Sequence, residues 1–227
     1  DFRGPLNLAH LEKSLRLIVD RHQLLQLRME VSNGLVVLSP ALGEIMTIPV
    51  DELSRAAMDE EVEQCTYDEI IKPFDLKIGP LVRCRVLRRS DDNHRLIVTF
   101  HHTVFDGWSE GIFVGELREC YNAFADGRKP NLSDLAIQYV DYASWHNDRM
   151  TAPEAVPHRE YWRKRLQDAP GLLDLPYDRR RPVSLSLSGA VHRFIWDKEF
   201  IDRLEQWGRN TDATLFMTLM AGFQALL

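Results

Sequence analysis

His101 and His102 stand side by side in the stretch FHHTVFDGWSEG, and Asp106, Gly107, Trp108 and Ser109 follow within the same loop-sized interval. A neutral imidazole near pH 7 accepts a proton from an attacking amine or hydroxyl. Acyl transfer needs that step, because its nucleophile loses a proton as the tetrahedral intermediate forms. A carboxylate past a turn either binds an imidazole directly or locks the loop through an arginine. Gly107 lets the backbone turn tightly and presents an N–H toward a developing oxyanion. Ser109 reads as the cap of the helix that follows. A plainer reading competes: a histidine at a strand end is most often a satisfied core or surface residue. The whole string, set between a buried strand and a capped helix, is harder to read as accident, yet on pattern alone the two readings stay balanced and the spacing does not say which acyl transfer.

The elements that must position these residues follow from periodicity. The run HRLIVTFHH reads as a strand, with Leu96, Val98, Phe100 and His102 on one face and Ile97, Thr99 and His101 on the other. Both faces are apolar, so the strand is expected to be central and covered on both sides. If the strand persists, its alternation sends one histidine toward a cleft and makes the other structural. LVRCRVLRR is its expected hairpin partner across the polar turn SDDN. A helix from Glu110 to Phe124 carries Phe113, Leu117, Cys120, Tyr121 and Phe124 on one face, and Gly127 ends it.

Upstream, NLAHLEKSLRLIVDRH reads as a helix with Asn7 as N-cap, and LLQLRMEVSNGLVVLSP as a hairpin turning at Asn33-Gly34. IMTIPV is a short strand, and MDEEVEQCTYDEIIK a helix stopped at Pro73. Downstream come helices near 138–149 and 154–167, then a linker rich in proline and glycine. A strand AVHRFIWD and helices over 198–209 and 214–227 follow. Interleaved helices and strands indicate an α/β (α+β) two-layer sandwich. TLFMTLMAGFQALL is apolar on nearly every side and is expected to be buried on nearly every side. The chain also lacks an initiator Met, so it reads as a piece of a longer protein, cut inside a second lobe.

Composition excludes several classes. The chain has 227 residues, 44% hydrophobic and 27% charged, with a formal net charge of -6. That balance disfavours nucleic-acid binding and offers no basic stripe for anionic lipid. No stretch approaches the ~20 apolar residues of a membrane span. The three cysteines, Cys65, Cys84 and Cys120, read as buried free thiols in a reducing cytoplasm, and no Cys/His spacing suggests a metal site. Tyr142 and Trp145 read as core packing, and His22 as a helix-terminus cation.

At the two histidines the sequence resembles the condensation domains of nonribosomal peptide synthetases, whose hallmark His-His-x-x-x-Asp-Gly stands here as His101 to Gly107. LEKSLRLIVDRHQLL, KPFDLKIGPLVRCRVL, IQYVDYASWHN, LDLPYDRRRP and the closing helix resemble further segments of that family in the same order. The resemblance implies a chloramphenicol-acetyltransferase-like lobe with a mixed sheet and flanking helices. On that expectation residues 1–170 form the N-terminal lobe, 171–187 a linker and 188–227 the start of a C-terminal lobe. It implies amide-bond formation between two thioesters carried on the 4'-phosphopantetheine arms of upstream and downstream peptidyl carrier domains. An adenylation domain in the same or a partner chain would supply them, and the domain would bind no cofactor of its own.

His102 would deprotonate or orient the acceptor amine, and His101 would be structural. Asp106 would form a salt bridge with an arginine, Arg21 before Arg28. Trp108-Ser109 is the form the family often shows where both substrates are L-configured. Two departures stand out: Gln23 replaces the family's Glu, and Gln26 its second arginine, which would weaken that support or move it to Arg28. The alternatives are an O-acyltransferase of the His-x-x-x-Asp type, an epimerisation domain, and a non-catalytic docking relative. Half a tunnel wall would be missing, so the 227-residue chain alone is expected not to catalyse condensation.

Overall fold

A computed structural model describes residues 1–43, 48–52, 59–172, 175, 177–179, 182 and 189–227. The described chain divides into two compact units, Asp1–His158 and Arg159–Leu227. The linker expected over 171–187 lies largely outside the described residues.

In the first unit, the short strand β1 (Phe2–Arg3) precedes helix α1 (Leu8–Arg21). The Asn7 side chain caps α1 by accepting the His10 N–H at 3.1 Å, as the sequence predicts. The hairpin of β2 (Leu27–Ser32) and β3 (Leu35–Pro40) turns at Asn33 and Gly34, with φ of 51° and 76°. Two consecutive positive φ values are what a two-residue hairpin turn demands, and Asn-Gly supplies them at little cost. Of the IMTIPV reading, residues 45–47 lie outside the described residues, Ile48 and Pro49 are not strand, and β4 (Val50–Glu52) begins at Val50. Pro49 has no N–H to give a ladder.

Helix α2 (Asp59–Ile71) stops two residues before Pro73. Strands β5 (Val82–Ser90) and β6 (Asn93–Phe100) pair antiparallel, while β4 pairs parallel with β5. The resulting mixed sheet has the order β1-β6-β5-β4. Helices α3 (Gly107–Ala125) and α4 (Tyr139–Thr151) follow, and α5 (Val156–Leu166) crosses into the second unit.

Both faces of β6 are covered, as its two apolar faces require. Leu96, Val98 and Phe100 pack into the main core with Leu11, Leu15 and Val19 of α1, Val82, Cys84 and Val86 of β5, and Phe113, Leu117 and Tyr121 of α3. Ile97 faces the other way, with Leu87 and Val62 of α2. Burying one such Leu or Val contributes about 2 kcal/mol. An exposed pair such as Glu12–Arg16 contributes under ~1 kcal/mol, so apolar packing rather than charge places α1 on the sheet. The mixed sheet with flanking helices is thus the observed architecture. At the end of α3, Gly127 adopts φ 69° and Arg128 N–H reaches Ala123 O at 2.9 Å, a Schellman closure.

The cysteines are free, Cys84 and Cys120 buried and Cys65 half-buried. Burial pushes the Cys84 thiol up to about 12. Tyr142 and Trp145 do not enter the core. They are 42% and 52% exposed and form an aromatic row with His146 along α4, a helix with no buried residue.

The second unit holds α6 (Lys198–Asn210) and α7 (Leu215–Leu226). Their connection folds back so tightly that a Cβ on Gly208 would meet Ala213 O at 2.7 Å, so glycine is required there. Two expectations fail in this unit. Residues 190–197 form no strand, because a strand needs a partner ladder and none runs beside them among the described residues. And α7 is not buried on every side: Phe216, Phe223 and Leu226 are exposed, and Thr218 is its buried residue.

Candidate active site

Strand β6 ends at Phe100, where the His101 N–H makes a last bond to Leu81 O at 2.9 Å. The chain then turns, and Val104 N–H closes on His101 O at 3.0 Å. The histidines therefore do not continue the strand, which corrects the alternation reading. They still separate, but the turn rather than the pleat divides them.

The His101 ring leans edge-on against Phe74, with centroids 5.9 Å apart and planes at 88°. Its Nδ1 accepts the Thr103 N–H at 3.2 Å and lies 2.9 Å from the Thr103 hydroxyl. A ring nitrogen that accepts an N–H carries no proton, so neutral His101 holds its proton on Nε2. His102 is exposed and makes no hydrogen bond or ring contact among the described residues. Beyond the turn, Val104 is buried and Phe105 stacks on Phe100 at 3.8 Å, with Phe113 edge-on to both. The turn is pinned at both ends, and His102 sits at its exposed apex.

Asp106 does something other than the sequence suggests. Its Oδ1 accepts the Ser109 N–H at 2.9 Å and the Ser109 hydroxyl at 2.7 Å, while Asp106 N–H points back to Ser109 Oγ at 3.4 Å. This is a capping box with Asp106 as N-cap, so α3 begins at Gly107 and Ser109 is its third residue, not its cap. The Ser109 hydroxyl first, then the Ser109 N–H, hold the Asp106 carboxyl below the usual carboxylate range, and nearby His102 adds to this.

Neither expected arginine meets Asp106. Arg21 bonds Glu116 at 2.9 Å and the Ser133 carbonyl, and Arg28 bonds Glu30 at 3.4 Å and Lys77 O at 3.0 Å. A carboxylate at a helix N-terminus is already stabilised by the N–H groups it caps, so the loop holds without a cation. Gly107 has no left-handed φ, so its freedom to turn is not what the site uses. Its N–H makes no hydrogen bond among the described residues and sits at the positive end of α3. Trp108 is 84% exposed beside it.

Sequence reasoning missed the clamp beneath the site. Glu116 on α3 joins Arg21 and His22, the latter at 2.8 Å, and Gln138 Nε2 donates to Arg21 O at 3.0 Å. The available signal was a carboxylate on the apolar stripe of α3, between Phe113 and Cys120. Gln26, which departs from the family arginine, donates to Val19 O and Asp20 O, both at 3.0 Å. It satisfies carbonyls that the end of α1 leaves open. Between these parts lies a cavity of about 210 Å³, lined by Ile18, His22, Val104, Phe105, Ile112 and Leu135 among others.

Chemically, the arrangement offers an imidazole on a fixed turn beside a helix N-terminus, with neither that imidazole nor the Gly107 N–H hydrogen-bonded among the described residues. No cluster of three metal-ligating side chains occurs among the described residues. No helix there is long and apolar enough to cross a membrane.

Comparison with known proteins places the chain among peptide synthetases and condensation-type folds. Malpinin synthetase of Mortierella alpina is 36% identical over 230 residues, which span 99% of this chain and 3% of that protein. Phosphinothricin tripeptide synthetase PhsC of Streptomyces viridochromogenes is 35% identical over 229 residues, 98% of this chain and 21% of that protein. The chain thus matches a small part of each of these larger relatives. Among solved structures, the X-domain in the complex of the X-domain and OxyB from teicoplanin biosynthesis superposes with a TM-score of 0.82 at 26% identity, over 93% of this chain and 47% of that one. The family model for the condensation domain matches residues 1–227 from end to end, and the chain belongs to that family.

Proposed function

We propose that these residues are part of a nonribosomal peptide synthetase condensation domain that forms an amide bond. The upstream donor acyl group and the downstream acceptor amino acid both arrive as thioesters on 4'-phosphopantetheine arms of peptidyl carrier domains. An adenylation domain in the same or a partner chain loads them, and the whole works in the cytoplasm with no cofactor of its own. The observation that carries this reading is His102: an exposed imidazole with no hydrogen bond or ring contact among the described residues, at the apex of a turn pinned on both sides.

In the proposed step the acceptor amine nitrogen attacks the donor thioester carbonyl carbon. The imidazole of His102 takes or orients the departing N–H proton. The carbonyl oxygen becomes an oxyanion, for which the open Gly107 N–H at the start of α3 is a suitable donor. Collapse expels the pantetheine thiolate, which takes up a proton. Asp106 serves by capping α3, and His101 by holding the turn. On this reading residues 1–170 form one lobe, 171–187 a linker, and 188–227 begin a second lobe. The test supplies the full-length protein with two carrier-bound aminoacyl thioesters. A new amide on the downstream carrier supports the proposal. An ester formed only from a hydroxyl acceptor would replace it with O-acyl transfer.

A second reading is a non-catalytic docking domain, favoured by the similarity to an X-domain solved in complex with OxyB. Retention of both His101 and His102 weighs against it. Loss of partner binding on surface substitution, with no amide ever formed by the wild type, would favour docking.

A further inference from the structure

Four hydrogen bonds from one guanidinium tie β5 to the end of α2 and the residues just after it. Arg83 on β5 donates Nε to Glu69 Oε1 at 2.8 Å, Nη2 to Glu69 O at 3.1 Å and Lys72 O at 2.7 Å, and Nη1 to Pro73 O at 3.2 Å. A guanidinium has five N–H donors in a rigid plane, so this set fixes the plane's tilt. The Glu69 side chain is only 9% exposed, so the pair is shielded from water.

That plane covers the ring of Phe74, with the guanidinium carbon 3.8 Å from its centroid. Phe74 in turn meets His101 edge-on at 5.9 Å. His101 holds the turn through three bonds: its N–H to Leu81 O, its O from Val104 N–H, and its Nδ1 from Thr103 N–H. His102 lies within the turn that the last two of these bonds close, and its ring makes no hydrogen bond or ring contact among the described residues.

We propose that Arg83 and Phe74 are positioning residues for His102, acting through the ring of His101. The inference rests on the reading of His102 as the residue that handles the acceptor proton. With the Phe74 ring in place, His101 keeps Nδ1 on the Thr103 N–H, and the apex of the turn has one conformation. Without it the imidazole is free to rotate, Thr103 N–H loses its acceptor, and His102 is no longer held in line with the amine. Misplacing a catalytic group by about 1 Å costs on the order of 10²-fold in rate.

Phe74 is half-buried, so the fold tolerates its trimming to another apolar side chain. In the full-length protein, Phe74→Leu is expected to lower kcat by about 10–100-fold with the acceptor KM and the melting temperature unchanged. Phe74→Tyr keeps the ring and is expected to restore kcat. Arg83→Lys keeps the charge but not the plane, and is expected to lower kcat as Phe74→Leu does, with a lower melting temperature from the lost hydrogen bonds to Glu69 and Lys72. Nitrogen-15 spectra of the His101 ring give a readout that packing alone would not move: one Nε2–H tautomer in the wild type, a mixture in Phe74→Leu. If His102→Ala abolishes condensation while Phe74→Leu and Arg83→Lys are folded and retain kcat, the relay is wrong and the role of His102 stands. If His102→Ala itself has no effect, the functional reading falls first.

Discussion

Asp106 caps α3 through Ser109, and that gives the site a pH signature. Its carboxyl is held below the ordinary range, so the folded state prefers the ionised form. The stabilisation is fully present above the unfolded carboxylate pKa and is lost as pH falls through the depressed folded value. Asp106→Ala is therefore expected to lower the melting temperature at neutral pH, and Asp106→Ser, another good N-cap, to lower it less. The gap between wild type and Asp106→Ala should close in acid, which thermal melts across pH will check. A gap that stays constant down to strong acid would mean the carboxylate charge is not what caps the helix. This cap was only half legible in sequence. The Asp-x-x-Ser spacing was visible, yet Ser109 followed by Glu110 looked like the better start. The choice depends on where the turn after Phe100 delivers the chain, which a local pattern does not encode.

At the scale of elements, the junction of α1 and α3 depends on Glu116. Its carboxyl is 12% exposed and receives both Arg21 and His22. Glu116→Ala leaves a partly buried guanidinium without its carboxylate, the Ser133 carbonyl still bound, and is expected to cost roughly 3 kcal/mol in denaturant melts. Glu116→Gln, which still accepts one bond, is expected to cost less. An equal cost for both would show that charge contributes and geometry does not. The helices themselves were legible: the spacing of Leu11, Leu15 and Ile18 and of Phe113, Leu117 and Tyr121 names the faces that meet in the core. The clamp was not, because Arg21 and Glu116 are far apart in sequence and their meeting is a consequence of packing. The end of β6 was hidden for the same reason, since the ladder stops where β5 has no further partner to offer. Residues 190–197 show the converse, an alternating strand pattern without a strand beside it.

For the whole molecule, the apolar surface of the second unit stands out. Phe194, Ile195, Phe216, Phe223 and Leu226 are all exposed, at 63%, 96%, 69%, 55% and 81%. Exposed apolar side chains in this number favour association. The 227-residue chain is expected to self-associate in sedimentation at micromolar concentration, and Phe216→Ser with Phe223→Ser to reduce it. A monodisperse wild-type monomer would contradict this. The family was legible because its hallmark and its flanking segments fall in order along the whole chain. The geometry of the site was not, because it depends on how a turn, a cap and a buried clamp fit together. The central claim is that His102 handles the acceptor proton while His101 holds the turn. Single-turnover amide formation in the full-length protein tests it most directly. His102→Ala is expected to slow the step by roughly 10²–10⁴-fold with carrier binding intact. A loss of less than tenfold would contradict the account.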